Sequence, residues 1–122
     1  MAHAVHPNYA QMHDSNHGPL LGAGPVVKIN VNQRYATDGE GRARFRHWCQ
    51  SGGTEMQEYV HRTDLACGTT IGPITAAKLG VRTVDVGNPM LSMHSAREMM
   101  ASADQHKMIL AKTAFFNDDA DF

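Results

Sequence analysis

Cysteine is scarce in this chain: Cys49 and Cys67 are the only two among 122 residues. With so few thiols a disulfide-stapled secreted scaffold is not indicated, and a reducing compartment is the default. Long apolar runs are also missing. Neither a membrane-spanning stretch nor the apolar centre of a secretory leader can be read anywhere, so a cytoplasmic protein is expected. Strong charge of either sign is absent too. The formal net charge is −1, with acidic and basic residues interspersed, which speaks against nucleic acid or a membrane surface as partner. No internal repeat is visible, and the length suits one small domain rather than two.

Histidine, by contrast, is plentiful. There are eight, and four of them (His3, His6, His13 and His17) fall in the first seventeen residues, which invites a metal-binding reading. Residues 1–24 hold Pro7, Pro19 and several glycines and asparagines without helical or strand periodicity, so this is read as a long irregular segment. From 25 to 116 an α/β pattern follows. Pro25 to Val31 is apolar and β-branched, with Lys28 interrupting it. Thr37 or Asp38 can cap a helix through Ala43, Phe45 and Trp48 that ends by Gly52 and keeps Arg42, Arg44 and Arg46 largely off its apolar face. Glu58 to Thr63 reads as a short strand, Pro73 to Leu79 as a helix closed by Gly80, and Val81 to Val86 as a strand. Ser92 or Ser95 can cap a last helix running to Phe116. Its Met99, Met100 and Met108, with Ile109, Leu110 and Phe115, form a stripe better suited to core or interface than to ligand binding. Asn117 to Phe122 reads as a frayed acidic tail. The order β-α-β-α-β-α predicts an α/β fold: a layered sheet with flanking helices.

Chemistry concentrates between Cys67 and Met99. Gly68, Thr69, Thr70 and Gly72 form a polar turn before a helix, where backbone N–H groups can meet an anion. The spacing is not that of a phosphate-binding P-loop, and an ordinary tight loop explains it equally well. Cys67 has no evident activating base and is taken as a buried thiol. His94 follows an apolar strand at the mouth of the expected helix, where ligands gather in open α/β sheets. On its own, a histidine there is more often a hydrogen-bonded structural residue than a ligand. Lys28 inside an apolar strand is costly unless its ammonium reaches water or a carboxylate, and an edge strand with a snorkelling lysine is the plain explanation.

The blocks HAVHPNY, GPVVKIN, QRYA, CGTTIGP and MHSAREM, in that order, closely resemble the C-terminal portion of the aspartyl aminopeptidases, zinc peptidases of the M18 family. The resemblance runs through nearly the whole chain. It implies that this chain is part of a zinc-peptidase catalytic domain whose substrates are peptides with an acidic N-terminal residue, Asp or Glu. It implies His94 as a zinc ligand and Lys28 as counter-ion to the substrate's acidic side chain, with Tyr35 adding a hydroxyl. His3 and His6 would handle substrate or a subunit contact, and the backbone of Gly68, Thr69 and Thr70 would line the cleft. Two zinc ions and a homo-oligomer are implied for the complete enzyme. In the family an aspartate ligand directly precedes the block matching Met1-Ala2-His3. The remaining ligands and the glutamate base also lie upstream, so none of the catalytic residues is expected in this chain and the isolated chain is expected to be inactive.

Two other readings compete. The chain can be a non-catalytic truncated fragment that acts only in folding or homo-oligomer assembly, a view that Met1 as an internal start supports. It can also be a histidine-rich metal-binding module built on His3, His6, His13 and His17, though that ignores every downstream block. His13 and His17 otherwise read as solvated loop residues.

Overall fold

A computed structural model describes residues 1–119; of the expected acidic tail, 120–122 lie outside the described residues. A three-stranded sheet lies at the centre, in the order β3-β2-β4. Strand β2 (Val26–Ile29) pairs parallel with β3 (Gln57–Val60) and antiparallel with β4 (Val86–Gly87). Helix α1 (Gly39–Ser51) connects β2 to β3, and α2 (Gly72–Leu79) connects β3 to β4. A second parallel pair joins β1 (Ala2–His3) to β5 (Pro89–Met90), and α3 (Ser102–Phe116) closes the described chain. The layered α/β expectation holds. Among the described residues no helix is long and apolar enough to cross a membrane.

Side-chain alternation along β2 decides what each face of the sheet does. Val27 and Ile29 point to one face, where they pack with Phe45, Trp48 and Cys49 of α1 and Met108 and Ala111 of α3. Val26 belongs to a separate cluster on the other face with Ala2, Tyr35 and Tyr59. Asp38 caps α1 as expected, its carboxylate accepting the Gly41 N–H at 2.6 Å. Arg42 and Arg46 leave the apolar stripe to meet Glu58 on β3. Gly80 closes α2 in the left-handed region at φ 64°, where a Cβ would be strained.

Several local expectations fail for tertiary reasons. Residues 1–24 are regular in part: β1 pairs with β5, and Pro7–Met12 form a 3₁₀ helix capped by His6 Nδ1, which accepts the Asn8 N–H at 3.1 Å. The end of this segment is tied down by distant side chains. Asp104 of α3 is fully buried and accepts the N–H groups of Gly22 and Gly24 at 2.8 and 2.9 Å, and Gln57 bonds the backbone of Leu20 and Gly24. Such ties leave no local periodicity.

The strand expected over Val81 to Val86 shrinks to its last residue and Gly87, because Asp85 serves as a junction. Its carbonyl accepts from Lys28 N–H, its N–H donates to Thr37 Oγ1, and its carboxylate accepts from Ala36 N–H at 2.7 Å. Neither Ser92 nor Ser95 caps the last helix, which begins at Ser102 after an uncapped Ala101. Leu91 and Met99 instead form an antiparallel bridge, and Ser92 and His94 between them adopt left-handed backbone at φ 55° and 69°. Met99 and Met100 therefore precede α3. Of the methionine stripe only Met108 is core, while Met99 and Ile109 are exposed.

Candidate functional site

The sheet face opposite the helices opens into a cleft of about 870 Å³. Every residue to which the family resemblance assigned a metal or substrate role lines it: His94, Lys28, Tyr35, His3, His6, Gly68, Thr69 and Thr70; of the histidine-rich metal-binding reading, His17 does not. Four separate pieces of chain supply them. β1 and the 3₁₀ helix carry His3 and His6, β2 and the loop after it carry Lys28 and Tyr35, the turn before α2 carries Gly68 to Thr70, and the Leu91–Met99 loop carries His94.

Lys28 occupies the middle strand of its sheet, so the edge-strand explanation of this lysine is wrong. It is half-buried, and its Nζ stands 5.3 Å from the centroid of the Tyr35 ring, a cation–π contact. Among the described residues no carboxylate lies within ion-pair distance of it. Burial lowers its pKa and the Asp85 charge opposes that shift. A half-buried cation without a carboxylate is poorly compensated, and an anionic ligand would correct this.

Tyr35 and Tyr59 sit edge to face, centroids 6.0 Å apart, and burial raises the pKa of both phenols. They stay neutral hydrogen-bonding groups. His3 stands on the rim. Partial burial of its ring, then the positive charges of Lys28, His94 and His61, lower its pKa. Glu98 is the one carboxylate among the described residues lining the cleft, and it is engaged by the backbone N–H of His94 at 2.6 Å. The lining is therefore short of negative charge.

His94 reaches the cleft on a tight turn. Left-handed backbone at a non-glycine residue costs on the order of 1–2 kcal/mol, and the Glu98 bond to His94 N–H holds the turn in that form. His94 itself is exposed. Among the described residues no three His, Cys, Asp or Glu side chains converge closely enough to hold a metal.

Sequence reasoning missed the floor of the cleft. His13, expected in a solvated loop, is 8 % exposed and pairs across an antiparallel bridge with His61, itself 6 % exposed. Burial lowers the His13 pKa, the Ala4 carbonyl raises it, and neighbouring His61 and His3 lower it further. His17 is half-buried rather than solvated, with Nδ1 2.6 Å from Asp14 and Nε2 3.8 Å from Glu58. Cys67 is half-buried rather than buried and receives the Asn30 amide at 3.5 Å. Apart from Asp14, three residues before His17, these partners lie tens of residues apart in sequence, so no local spacing reveals them.

Comparison with known proteins fits this geometry. A profile of the family described as aminopeptidase I zinc metalloprotease (M18) matches residues 1–116. The chain is 57% identical over 116 residues to a probable M18 family aminopeptidase 2 of Ectopseudomonas mendocina, a match covering 95% of this chain and 27% of that protein. Its fold superposes on a chain of the Ape4 and Nbr1 complex with a TM-score of 0.90 at 45% identity, covering 94% of this chain and 22% of the other. It superposes on a chain of the S. cerevisiae mApe1 dodecamer with a TM-score of 0.78 at 30% identity, covering 94% and 25%. The chain thus spans about a quarter of the length of the relatives it matches.

Proposed function

The chain belongs to the M18 family of zinc aminopeptidases, and from that membership we propose that it forms the substrate-side wall of a peptidase that releases N-terminal Asp or Glu from peptides. The observation that carries this reading is Lys28. A half-buried ammonium without a carboxylate partner, seated over an aromatic face in a cleft poor in negative charge, is a built receptor for an acidic side chain. Tyr35 supports the ammonium with its ring and offers a neutral hydroxyl. His3 and His6 border the same space, and the polar Gly68 to Thr70 turn lines it, the backbone N–H groups of Gly68 and Thr69 being its donors to a peptide lying there while that of Thr70 is held by the Arg34 carbonyl.

In this reading His94 contributes one ligand to a pair of zinc ions, the others and the glutamate base coming from outside this segment. Zinc, when bound, polarises a scissile carbonyl and lowers the pKa of its water. The residues of this chain bind the N-terminal residue, orient it through Lys28 and exclude water around the acidic group. Assembly into a homo-oligomer in the cytoplasm belongs to the same proposal. Ile71, Ile74 and Leu79 leave apolar surface exposed around α2, which suits contact with further protein. The alternative of a truncated assembly unit without catalysis predicts no acid-selective binding at all.

Lys28→Ala in the complete enzyme is the direct test. Removing the cation should lower kcat/KM for an aspartyl substrate by about 2–5 kcal/mol in free-energy terms, while an alanyl or leucyl substrate suffers much less and zinc content stays normal. Equal losses for acidic and neutral substrates would show that the selectivity lies elsewhere.

A further inference from the structure

The wall behind Lys28 holds a pair that this reading leaves unused. Tyr59 is the register partner of Lys28 across the β2–β3 ladder, so the two side chains stand next to each other on the cleft face. Its ring meets Tyr35 edge to face at 6.0 Å and His13 edge to face at 5.4 Å. Its hydroxyl lies 2.9 Å from His61 Nδ1. Tyr59 and His61 are 3 % and 6 % exposed. The other ring nitrogen of His61, Nε2, is buried and without a hydrogen-bond partner. Among the described residues the Tyr59 hydroxyl is therefore the one bond that orients this imidazole. The phenol is the more acidic donor of the two, and its donation to Nδ1 assigns the ring proton to Nε2.

A buried polar pair of this kind is conformationally specific. Rotating Tyr59 about its Cα–Cβ bond would break the hydrogen bond of its hydroxyl to His61 and move the ring against Tyr35, whose face carries the Lys28 ammonium. We propose that the Tyr59–His61 pair is a positioning device that fixes the Tyr35 ring and, through it, the Lys28 ammonium, and so sets acid selectivity without touching substrate. This deepens the reading of Lys28 as the counter-ion and rests on it. Asn at position 61 can present an acceptor near the place of Nδ1, whereas Leu cannot. The two substitutions separate the hydrogen bond from simple space filling.

The test uses the complete enzyme with aspartyl and alanyl chromogenic substrates. Tyr59→Phe and His61→Leu should each raise KM for the aspartyl substrate by roughly 2- to 12-fold, the worth of one hydrogen bond. The alanyl KM and both kcat values should stay near the parent's, and His61→Asn should restore most of the loss. The double variant Tyr59→Phe/His61→Leu should be no worse than either single one, since both remove the same bond.

Parallel losses on both substrates, additive effects in the double variant, or no rescue by Asn would overturn the proposal. Should His61→Leu fail to fold, Tyr59→Phe and His61→Asn still decide it by their KM ratios. The Lys28→Ala control separates the two readings: if it destroys acid preference while Tyr59→Phe leaves it intact, only the positioning role falls. If the parent shows no acid preference, both fall.

Discussion

Alternate residues of one four-residue strand serve opposite purposes here. Val27 and Ile29 of β2 face the helices and join Phe45, Trp48, Met108 and Ala111 in a core of apolar side chains. Val26 and Lys28 face the cleft among two tyrosines and several histidines, where His13 Nδ1, His61 Nε2 and Thr70 Oγ1 are buried without partners. A core gains stability from burying apolar area and tolerates no orphaned polar atoms, whereas each unpaired buried group on the cleft face costs about 1–3 kcal/mol. The helix face holds the sheet together, and the cleft face spends some of that stability on groups arranged for a ligand.

If the two faces divide the work in this way, substitutions on them should separate activity from stability. The largest effect is expected at His94: in the complete enzyme His94→Ala should lower zinc content, measured on purified protein, and with it nearly all turnover, with little change in Tm beyond that of metal loss. Full zinc occupancy with normal turnover would make His94 a structural residue. On the helix face, Trp48→Ala removes a buried indole that packs edge to face on Phe115 at 4.7 Å and donates to Asp118 at 2.6 Å. It should cost about 3–5 kcal/mol in chemical denaturation and leave the Asp-over-Ala selectivity ratio unchanged. A shift in that ratio would mean the faces are coupled.

Asp104→Ala should have a smaller effect. It strips the Gly22 and Gly24 N–H groups of their acceptor and leaves the buried Gly24 donor unpaired, for a loss of about 2–4 kcal/mol. Amide exchange should rise first over residues 20–24, and uniform loosening of the whole chain would contradict the view that this carboxylate anchors that segment.

The smallest effect concerns pH. Because the folded pKa of His13 is lowered, the unfolded chain binds more protons than the folded one just below the ordinary value of 6.5. The stability contributed by neutral His13 is thus complete above that value and is lost as pH falls through the lowered folded pKa. Tm should decline between pH 7.5 and pH 5, and His13→Gln should flatten that slope. An unchanged slope would place the titrating group elsewhere, His3 being the next candidate by the same direction of shift.

The sequence by itself determined the elements whose signals are local. Asp38 and Gly52 bound α1 and Gly80 ends α2, because caps and helix ends are written in the few residues that form them. The β-branched run around Val26 announced β2 for the same reason. The family resemblance named His94, Lys28, Tyr35 and the two early histidines. What placed those residues around one space is their partners in distant parts of the chain: β1 against β5, Asp104 under Gly24, Asp85 between β2 and the Tyr35 loop. The late start of α3 and the shortened β4 have the same origin, since the Leu91–Met99 bridge and the Asp85 junction override local propensity. The burial of His13 and His61, and hence the Tyr59 anchor beside Lys28, was decided by the tertiary structure alone, because the energy of a buried polar group depends on the partners folding brings within reach.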